Sequence, residues 1–159
     1  MAPDMFIKGR DTETMKRMPI GDAPQIVLAE DNPADVLLVR EALDEHSVAC
    51  NLVVLGDGEE AIRYFNGLDT DTKSRCPDLL LLDLHLPKHT GEEILRRLRA
   101  SERCGQTPVV ILTSSESHAD RQHAEKNAVV HYFRKPSTLS QFMELGTIVK
   151  QVINRATPQ

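Results

Sequence analysis

The length and charge of the chain limit the classes of protein to which it can belong. Its 159 residues suffice for one domain with its own core, and 40% of them are hydrophobic. A net charge of −5 gives no reason to expect nucleic-acid binding, and no apolar run approaches the ~18 residues of a membrane span. Three scattered cysteines, Cys50, Cys76 and Cys104, without a C-x-x-C pair favour reduced thiols in a cytoplasmic protein over a disulfide framework.

From residue 25 onward, strand-like and helix-like segments alternate along the chain. The predicted strands are residues 25–31, 51–58, 78–84, 107–115 and 129–136. The predicted helices are residues 33–43, 58–66, 91–100, 117–127 and 138–155. The unbroken leucines of the third strand indicate burial on both faces, as in a central parallel strand. The alternation therefore predicts an α/β fold of the (βα)5 type, a doubly wound five-stranded parallel sheet with right-handed crossovers.

Capping residues indicate where the helices begin and end. Asn32 can cap the first helix, with Asp35 completing a box-like Asn-x-x-Asp start. Asp57 can cap the second helix, and Gly67 is predicted to end it. Thr90 opens a Thr-x-x-Glu capping box for the third helix.

The last predicted helix carries more apolar residues than one core-facing side needs. Its core side consists of Leu139, Phe142, Leu145, Val149 and Val152. Its remaining apolar residues, Met143, Ile148 and Ile153, would be exposed in a monomer, and exposed apolar groups often mark an interface. This surplus predicts a homodimer through strand five and the helices that flank it.

Polar side chains end four of the five predicted strands. They are Glu30 and Asp31 after strand one, Asp83 on strand three, Thr113 on strand four and Lys135 on strand five. In open parallel sheets ligands bind at these carboxyl ends. Carboxylates that share a crevice need a cation, and oxygen-only ligands suit Mg²⁺. A lysine is a common partner for phosphate oxygens, so the set is equipped for phosphoryl transfer to a carboxylate.

Four motifs in this order resemble the receiver domain of two-component response regulators, over about residues 25–155. The motifs are AEDN (29–32), LLDLHLPKHTG (81–91), ILTSS (111–115) and YFRKP (132–136). The resemblance implies the flavodoxin-like receiver fold with strand order 2-1-3-4-5. It further implies an N-terminal extension at residues 1–24, either a flexible tail or a partner-docking arm, and a C-terminal tail at residues 156–159.

The resemblance also assigns roles to the residues of the site. Asp83 would be the phospho-acceptor. Mg²⁺ would be bound by Asp31, Asp83 and the backbone carbonyl of His85, with Glu30 acting largely through water. Thr113 and Lys135 would contact the phosphoryl group, and Tyr132 would be the aromatic switch. The Lys135–Pro136 bond would be the family's cis peptide, a form accessible at X-Pro bonds.

Function and partners follow from the resemblance as expectations. The chain is expected to be a stand-alone response regulator that takes phosphate from a sensor histidine kinase and signals by a conformational switch, without other enzymatic activity. The segments NPADVLLVREAL (32–43) and KPSTLSQF (135–142) are similar to small regulators partnered with bacterial phytochrome kinases. Two alternatives stay open: a phosphatase of the haloacid-dehalogenase kind, in which His85 would stand where the second Asp is needed, and a pseudo-receiver that is not phosphorylated.

Overall fold

Five parallel strands form one sheet in the computed structural model, which describes residues 23–115 and 117–156 apart from the side chains of His123 and Ala156. The strands are β1 (Gln25–Ala29), β2 (Asn51–Leu55), β3 (Leu79–Asp83), β4 (Val109–Thr113) and β5 (His131–Arg134). Their order is β2-β1-β3-β4-β5, so the predicted topology is confirmed. The tails predicted at residues 1–24 and 156–159 lie outside the described residues, apart from Ala23, Pro24 and the backbone of Ala156.

Six helices in the described residues cover the two faces of the sheet. They are α1 (Pro33–Glu45), α2 (Gly58–Thr70), α3 (Gly91–Arg99), α4 (His118–Lys126), α5 (Leu139–Phe142) and α6 (Glu144–Ala156). One core cluster joins the sheet to α2, α3 and α4, and a second joins it to α1, α5 and α6. Every residue of β3 and β4 is buried, as expected for central strands with helices on both faces. None of the described helices is long and apolar enough to cross a membrane.

The predicted helix starts are confirmed, and two details of the capping predictions are wrong. The side chains of Asn32 and Asp57 accept backbone N–H bonds at the starts of α1 and α2, and Thr90 forms its capping box. Asp35 does not complete a capping box, because the backbone N–H of Asn32 donates to Glu30 and the Asp35 carboxylate accepts from Lys135, which follows β5. Gly67 does not end α2, which continues to Thr70, since an isolated glycine is tolerated inside a helix.

The last helix of the prediction is two helices. Met143 separates α5 from α6, but the predicted core side continues across this interruption, since Phe142, Leu145, Val149 and Val152 are all buried. Leu139, predicted to face the core, is 57% exposed, whereas Ile153, predicted to be exposed, is buried. Met143 and Ile148 are partly buried against the core. The apolar surplus that predicted a dimer is therefore mostly absorbed by the core.

Two further predictions about covalent geometry are wrong. The structure joins Cys76 and Cys104 in a disulfide, because the loops that precede β3 and β4 meet at one end of the sheet. Cys50 remains a buried thiol, and burial raises its pKa to about 12. No described peptide bond is cis, so Lys135–Pro136 is trans, the more stable form of an X-Pro bond.

Candidate functional site

Three carboxylates converge at the carboxyl ends of β1 and β3. The two strands pair in parallel with Ala29 beside Leu82, so the next residue of each strand, Glu30 and Asp83, comes to the same place. Oxygen atoms of Glu30, Asp31 and Asp83 all lie within 4.8 Å of one another. Glu30 and Asp83 are buried, whereas Asp31 is exposed at the rim. The structure thus brings together the three acids that the sequence predicts.

Lys135 connects these acids to one more carboxylate. Its Nζ lies 2.8 Å from Glu30 Oε1, 2.8 Å from Asp35 Oδ2 and 3.1 Å from Asp83 Oδ2. Its backbone N–H donates to the carbonyl of Thr113 at 2.8 Å, which fixes the start of the loop after β5. Asp35 was missed as a site residue, because its place in the sequence suggests only a helix cap.

Hydrogen bonds and burial set the protonation of the buried pair. Burial raises the pKa of Glu30 to about 6, although the ammonium of Lys135 acts in the opposite direction. Burial alone would lower the pKa of Lys135, but its bonds to Asp35 and Glu30 and the charge of Asp83 raise it above its usual value. Lys135 therefore stays charged and shares its proton donors among three acids.

The site has an excess of negative charge, which a divalent cation would reduce. Four carboxylates (Glu30, Asp31, Asp35 and Asp83) face one ammonium, a formal charge of −4 + 1 = −3 when all acids are ionised. The atoms with which these acids could bind a metal are all oxygens, which hard cations such as Mg²⁺ prefer. These residues could hold a metal ion, and their donor chemistry fits the predicted Mg²⁺.

The loop after β3 holds the carboxylate of Asp83 in place. The backbone N–H of His85 donates to Asp83 Oδ1 at 2.9 Å. The His85 ring lies outside the acid cluster, with Nε2 3.2 Å from Asp120 Oδ2 on α4. This link between the loop and α4 is not visible in the sequence. The metal-binding role of the His85 carbonyl stays a prediction.

Thr113 and Tyr132 lie on the side of the site toward α4. Asp83 pairs with Leu112 in the sheet, so the fully buried Thr113 is the next residue along β4. Its Oγ1 accepts the N–H of Ser115 at 3.0 Å, which leaves the hydroxyl proton for another acceptor. Tyr132 contacts α4 rather than the acids, with the Arg121 guanidinium 4.7 Å from its ring centroid.

The hydroxyl of Tyr132 is the unusual feature of this side. It is buried and has no hydrogen-bond partner among the described residues. Burial, together with the nearby charge of Asp120, raises the pKa of Tyr132, so the phenol keeps its proton. A buried hydroxyl without a hydrogen-bond partner is costly, so this feature of the site needs a physical explanation.

Comparison with known proteins identifies the class of protein that this fold and site define. The family model of the response regulator receiver domain matches residues 26–146. The chain therefore belongs to the response regulator receiver family. It is a signalling domain of two-component systems, in accordance with the prediction made from the four motifs.

Individual relatives and solved structures extend the comparison. The chain is 35% identical to the probable methanogenesis regulatory protein FilR2 of Methanothrix harundinacea, covering 80% of this chain and 79% of that protein. It is 32% identical to the response regulator Rcp1 of Synechocystis, covering 76% and 82%. The crystal structure of the phosphorylated cyanobacterial phytochrome response regulator RcpA superposes with a TM-score of 0.75 at 32% identity, covering 86% and 97%. The Mn²⁺-bound form of Rcp1 gives 0.71 at 30% identity, covering 80% and 92%.

Proposed function

We propose that this receiver domain accepts a phosphoryl group on Asp83 from a sensor histidine kinase. The observation that supports the proposal best is the environment of Asp83. Its carboxylate lies among two further acids within 4.8 Å, and the Lys135 ammonium is 3.1 Å away. The haloacid-dehalogenase and pseudo-receiver alternatives are not favoured, because the family match is to receivers and the acids and the lysine are all present.

In the proposed reaction the residues of the site orient the groups and neutralise charge. A carboxylate oxygen of Asp83 attacks phosphorus, and the P–N bond to the kinase histidine breaks as the acyl phosphate forms. Before transfer, Lys135 forms ion pairs with Asp83, Glu30 and Asp35 and offsets part of their charge. After transfer, we expect its Nζ to turn to a phosphoryl oxygen, and we expect the Thr113 hydroxyl to donate to another.

We assign the metal to Asp31, Asp83 and the His85 carbonyl, with Glu30 acting largely through water. Mg²⁺ bound there would neutralise the negative charge that the phosphoryl oxygens bring into an already acidic site. The existence of a Mn²⁺-bound form of Rcp1 supports the binding of a divalent ion by this domain. We expect Asp31→Asn to weaken Mg²⁺ binding at least tenfold in calorimetric titration without unfolding the domain, because Asp31 is an exposed ligand. Unchanged Mg²⁺ affinity would place the metal elsewhere.

We propose that the phosphodonor is a phytochrome-type histidine kinase. We further propose that the domain is located in the cytoplasm, where such kinases use ATP. The names of RcpA and Rcp1, together with the similarity of segments 32–43 and 135–142, support this partner. The chain is about as similar to FilR2 as to Rcp1, so phytochrome kinases must be compared directly with other histidine kinases. We expect purified phytochrome kinases to transfer phosphate to this domain at least tenfold faster than kinases that lack a photosensory module. Equal rates would contradict the partner assignment.

We infer a conformational switch that runs from the phosphoryl group through Thr113 to Tyr132. Once Thr113 donates to a phosphoryl oxygen, the end of β4 moves toward Asp83 and leaves room beside Tyr132. The ring of Tyr132 would then turn inward, leaving the guanidinium of Arg121. Among its described residues α4 buries only Ala124, so little packing opposes its movement. A local charge thus biases a two-state element.

We also propose a homodimer through β5 and the helices beside it. β5 is an edge strand, and Val130, which precedes it, is 51% exposed. We expect sedimentation to show a dimer that Val130→Asp dissociates, while Leu37→Asp on α1, which is also exposed in the monomer, leaves the dimer intact. A monomeric wild type at high concentration, with and without a phosphate mimic, would contradict this. Nucleic-acid binding is not part of the proposal.

Labelling by a small phosphodonor tests the central proposal. With acetyl phosphate and Mg²⁺, the wild type should incorporate phosphate, and Asp83→Asn should lose nearly all of the label because an amide cannot form the acyl phosphate. The matched control is Asp44→Asn, near the C-terminal end of α1, which should be labelled to the same extent as the wild type. Undiminished labelling of Asp83→Asn would refute the assignment.

A further inference from the structure

Two cysteines meet at the end of the sheet opposite the acidic site. Cys76 lies in the loop between α2 and β3, and Cys104 lies in the loop between α3 and β4. Their Cα atoms are 5.5 Å apart, within the 4.4–6.8 Å range that a disulfide spans. Cys104 is only 2% exposed, whereas Cys76 is partly exposed. Cys76 is therefore the residue of the pair that a reagent in solution reaches more readily.

Other bonds hold these two loops together independently of the sulfur atoms. The guanidinium of Arg103 donates to the backbone carbonyls of Leu68 and Ser74 in the α2–β3 region. The backbone N–H of Cys104 donates to Ser101 Oγ at 2.9 Å, which fixes the loop on the other side. Because these bonds need no disulfide, the two thiols would remain adjacent after reduction.

The geometry of the pair suits thiol–disulfide exchange. The thiolate is the nucleophile in that exchange, so the cysteine that a reagent can reach is the one that attacks. A partly exposed cysteine with a buried partner within bonding distance has the arrangement of an attacking and resolving pair.

We propose that Cys76 and Cys104 form a reversible redox modification site, with Cys76 as the attacking and Cys104 as the resolving cysteine. The oxidant is a small disulfide such as glutathione disulfide. The Cys76 thiolate attacks one sulfur of that disulfide, its S–S bond breaks, and one glutathione thiolate leaves. The Cys104 thiolate then attacks the Cys76 sulfur of the mixed disulfide and releases the second glutathione. The two cysteines lose two protons and two electrons, and two glutathione thiols form.

Oxidation at this site constrains the segment that carries the proposed phospho-acceptor. The ring closed by the disulfide contains β3, the loop after Asp83 and α3, a sequence separation of 28 residues. A cross-link of that length restricts the unfolded chain, and in a domain of this size it should raise Tm by about 10 °C. The site needs no phosphorylation to operate, so its test is independent of the role of Asp83.

Thiol counting on the full chain tests the proposal. The protein is equilibrated under native conditions with reduced or oxidised glutathione, quenched in acid, denatured and alkylated with a maleimide that shifts its mass. We expect three alkylated thiols in reduced glutathione and one, Cys50, in oxidised glutathione. Native treatment of the oxidised form with thioredoxin or dithiothreitol should restore three. Three thiols in both buffers, or a disulfide that resists reduction in the folded protein, would overturn the proposal.

Single variants test the roles of the two cysteines. Cys104→Ala should accumulate a glutathione adduct on Cys76 in oxidised glutathione, because the resolving thiol is absent. Cys76→Ala should gain none on the buried Cys104, and an adduct there would overturn the assignment of roles. Cys50→Ala is the control and should lose both of its remaining thiols on oxidation. If an alanine variant fails to fold, the thiol count of the wild type still decides whether the redox site exists.

Discussion

Replacing Lys135 by methionine should destabilise the domain in a manner that depends on pH. The Lys135 side chain is 11% exposed, and its ammonium binds Glu30, Asp35 and Asp83; the side chain of Glu30 is 1% exposed. Removing one partner of a buried ion pair costs about 3–5 kcal/mol. Protonation of Glu30 limits this loss: from its folded pKa of about 6, neutralising Glu30 at pH 7.5 costs about 2 kcal/mol, and the lost bonds to Asp35 and Asp83 add about 1 kcal/mol. We therefore expect a loss of about 3 kcal/mol in the free energy of unfolding at pH 7.5 in EDTA.

The pH dependence follows from the sign of the shift. The pKa of Glu30 is raised in the folded state, so the folded domain binds more protons than the unfolded chain between about pH 4.5 and 6, and stability falls as pH rises through that range. Without Lys135 this pKa rises further. The destabilisation of Lys135→Met should consequently shrink to about 1 kcal/mol at pH 5, where neutralising Glu30 costs little.

Urea unfolding followed by far-UV circular dichroism at both pH values is the assay, since the chain has no tryptophan. Lys88→Met is the matched control, because Lys88 pairs with Asp57 and Glu59 on the exposed surface and should change stability little. Added Mg²⁺ should restore much of the stability of Lys135→Met by supplying positive charge. A loss that is the same at pH 5 and pH 7.5 would refute the reasoning.

Two further substitutions test the switch and the packing of the helices. Thr113→Ala should still be phosphorylated but should leave the NMR signals of the Tyr132 ring unchanged by beryllofluoride, a phosphate mimic. A shift equal to that of the wild type would remove Thr113 from the switch. Gly146→Ala should lower stability by about 1–3 kcal/mol in urea unfolding, because a Cβ there would come within 2.3 Å of the Ala42 carbonyl on α1. Its control, Gly67→Ala, meets nothing within 4 Å and should stabilise α2 by about 0.5–1 kcal/mol. Equal effects of the two alanines would contradict the packing argument.

Most of the fold could be predicted from local patterns in the sequence. The uninterrupted leucines of β3 and the capping residue Thr90 act within a few residues, so their consequences can be worked out without the tertiary structure. Convergence of Glu30, Asp83 and Lys135 was also predictable, because parallel strands place their carboxyl ends at one edge.

The errors concern contacts between residues far apart in the sequence. Asp35 meets Lys135 across a separation of 100 residues, and its position beside Asn32 suggested only a helix cap. Cys76 and Cys104 are joined because two loops meet, which the spacing of the cysteines does not reveal. Leu139 is exposed at the first position of α5, and the apolar periodicity gives no signal of that exposure.

Reductive trapping of the phosphorylated protein tests the central claim most directly. Borohydride reduces an aspartyl phosphate to homoserine, and peptide mass spectrometry locates that residue. After treatment with acetyl phosphate and Mg²⁺, the account predicts homoserine at position 83 and at neither of the neighbouring site acids, Asp31 and Asp35. Homoserine at position 31 or 35, or phosphate incorporated with no homoserine at position 83, would contradict it.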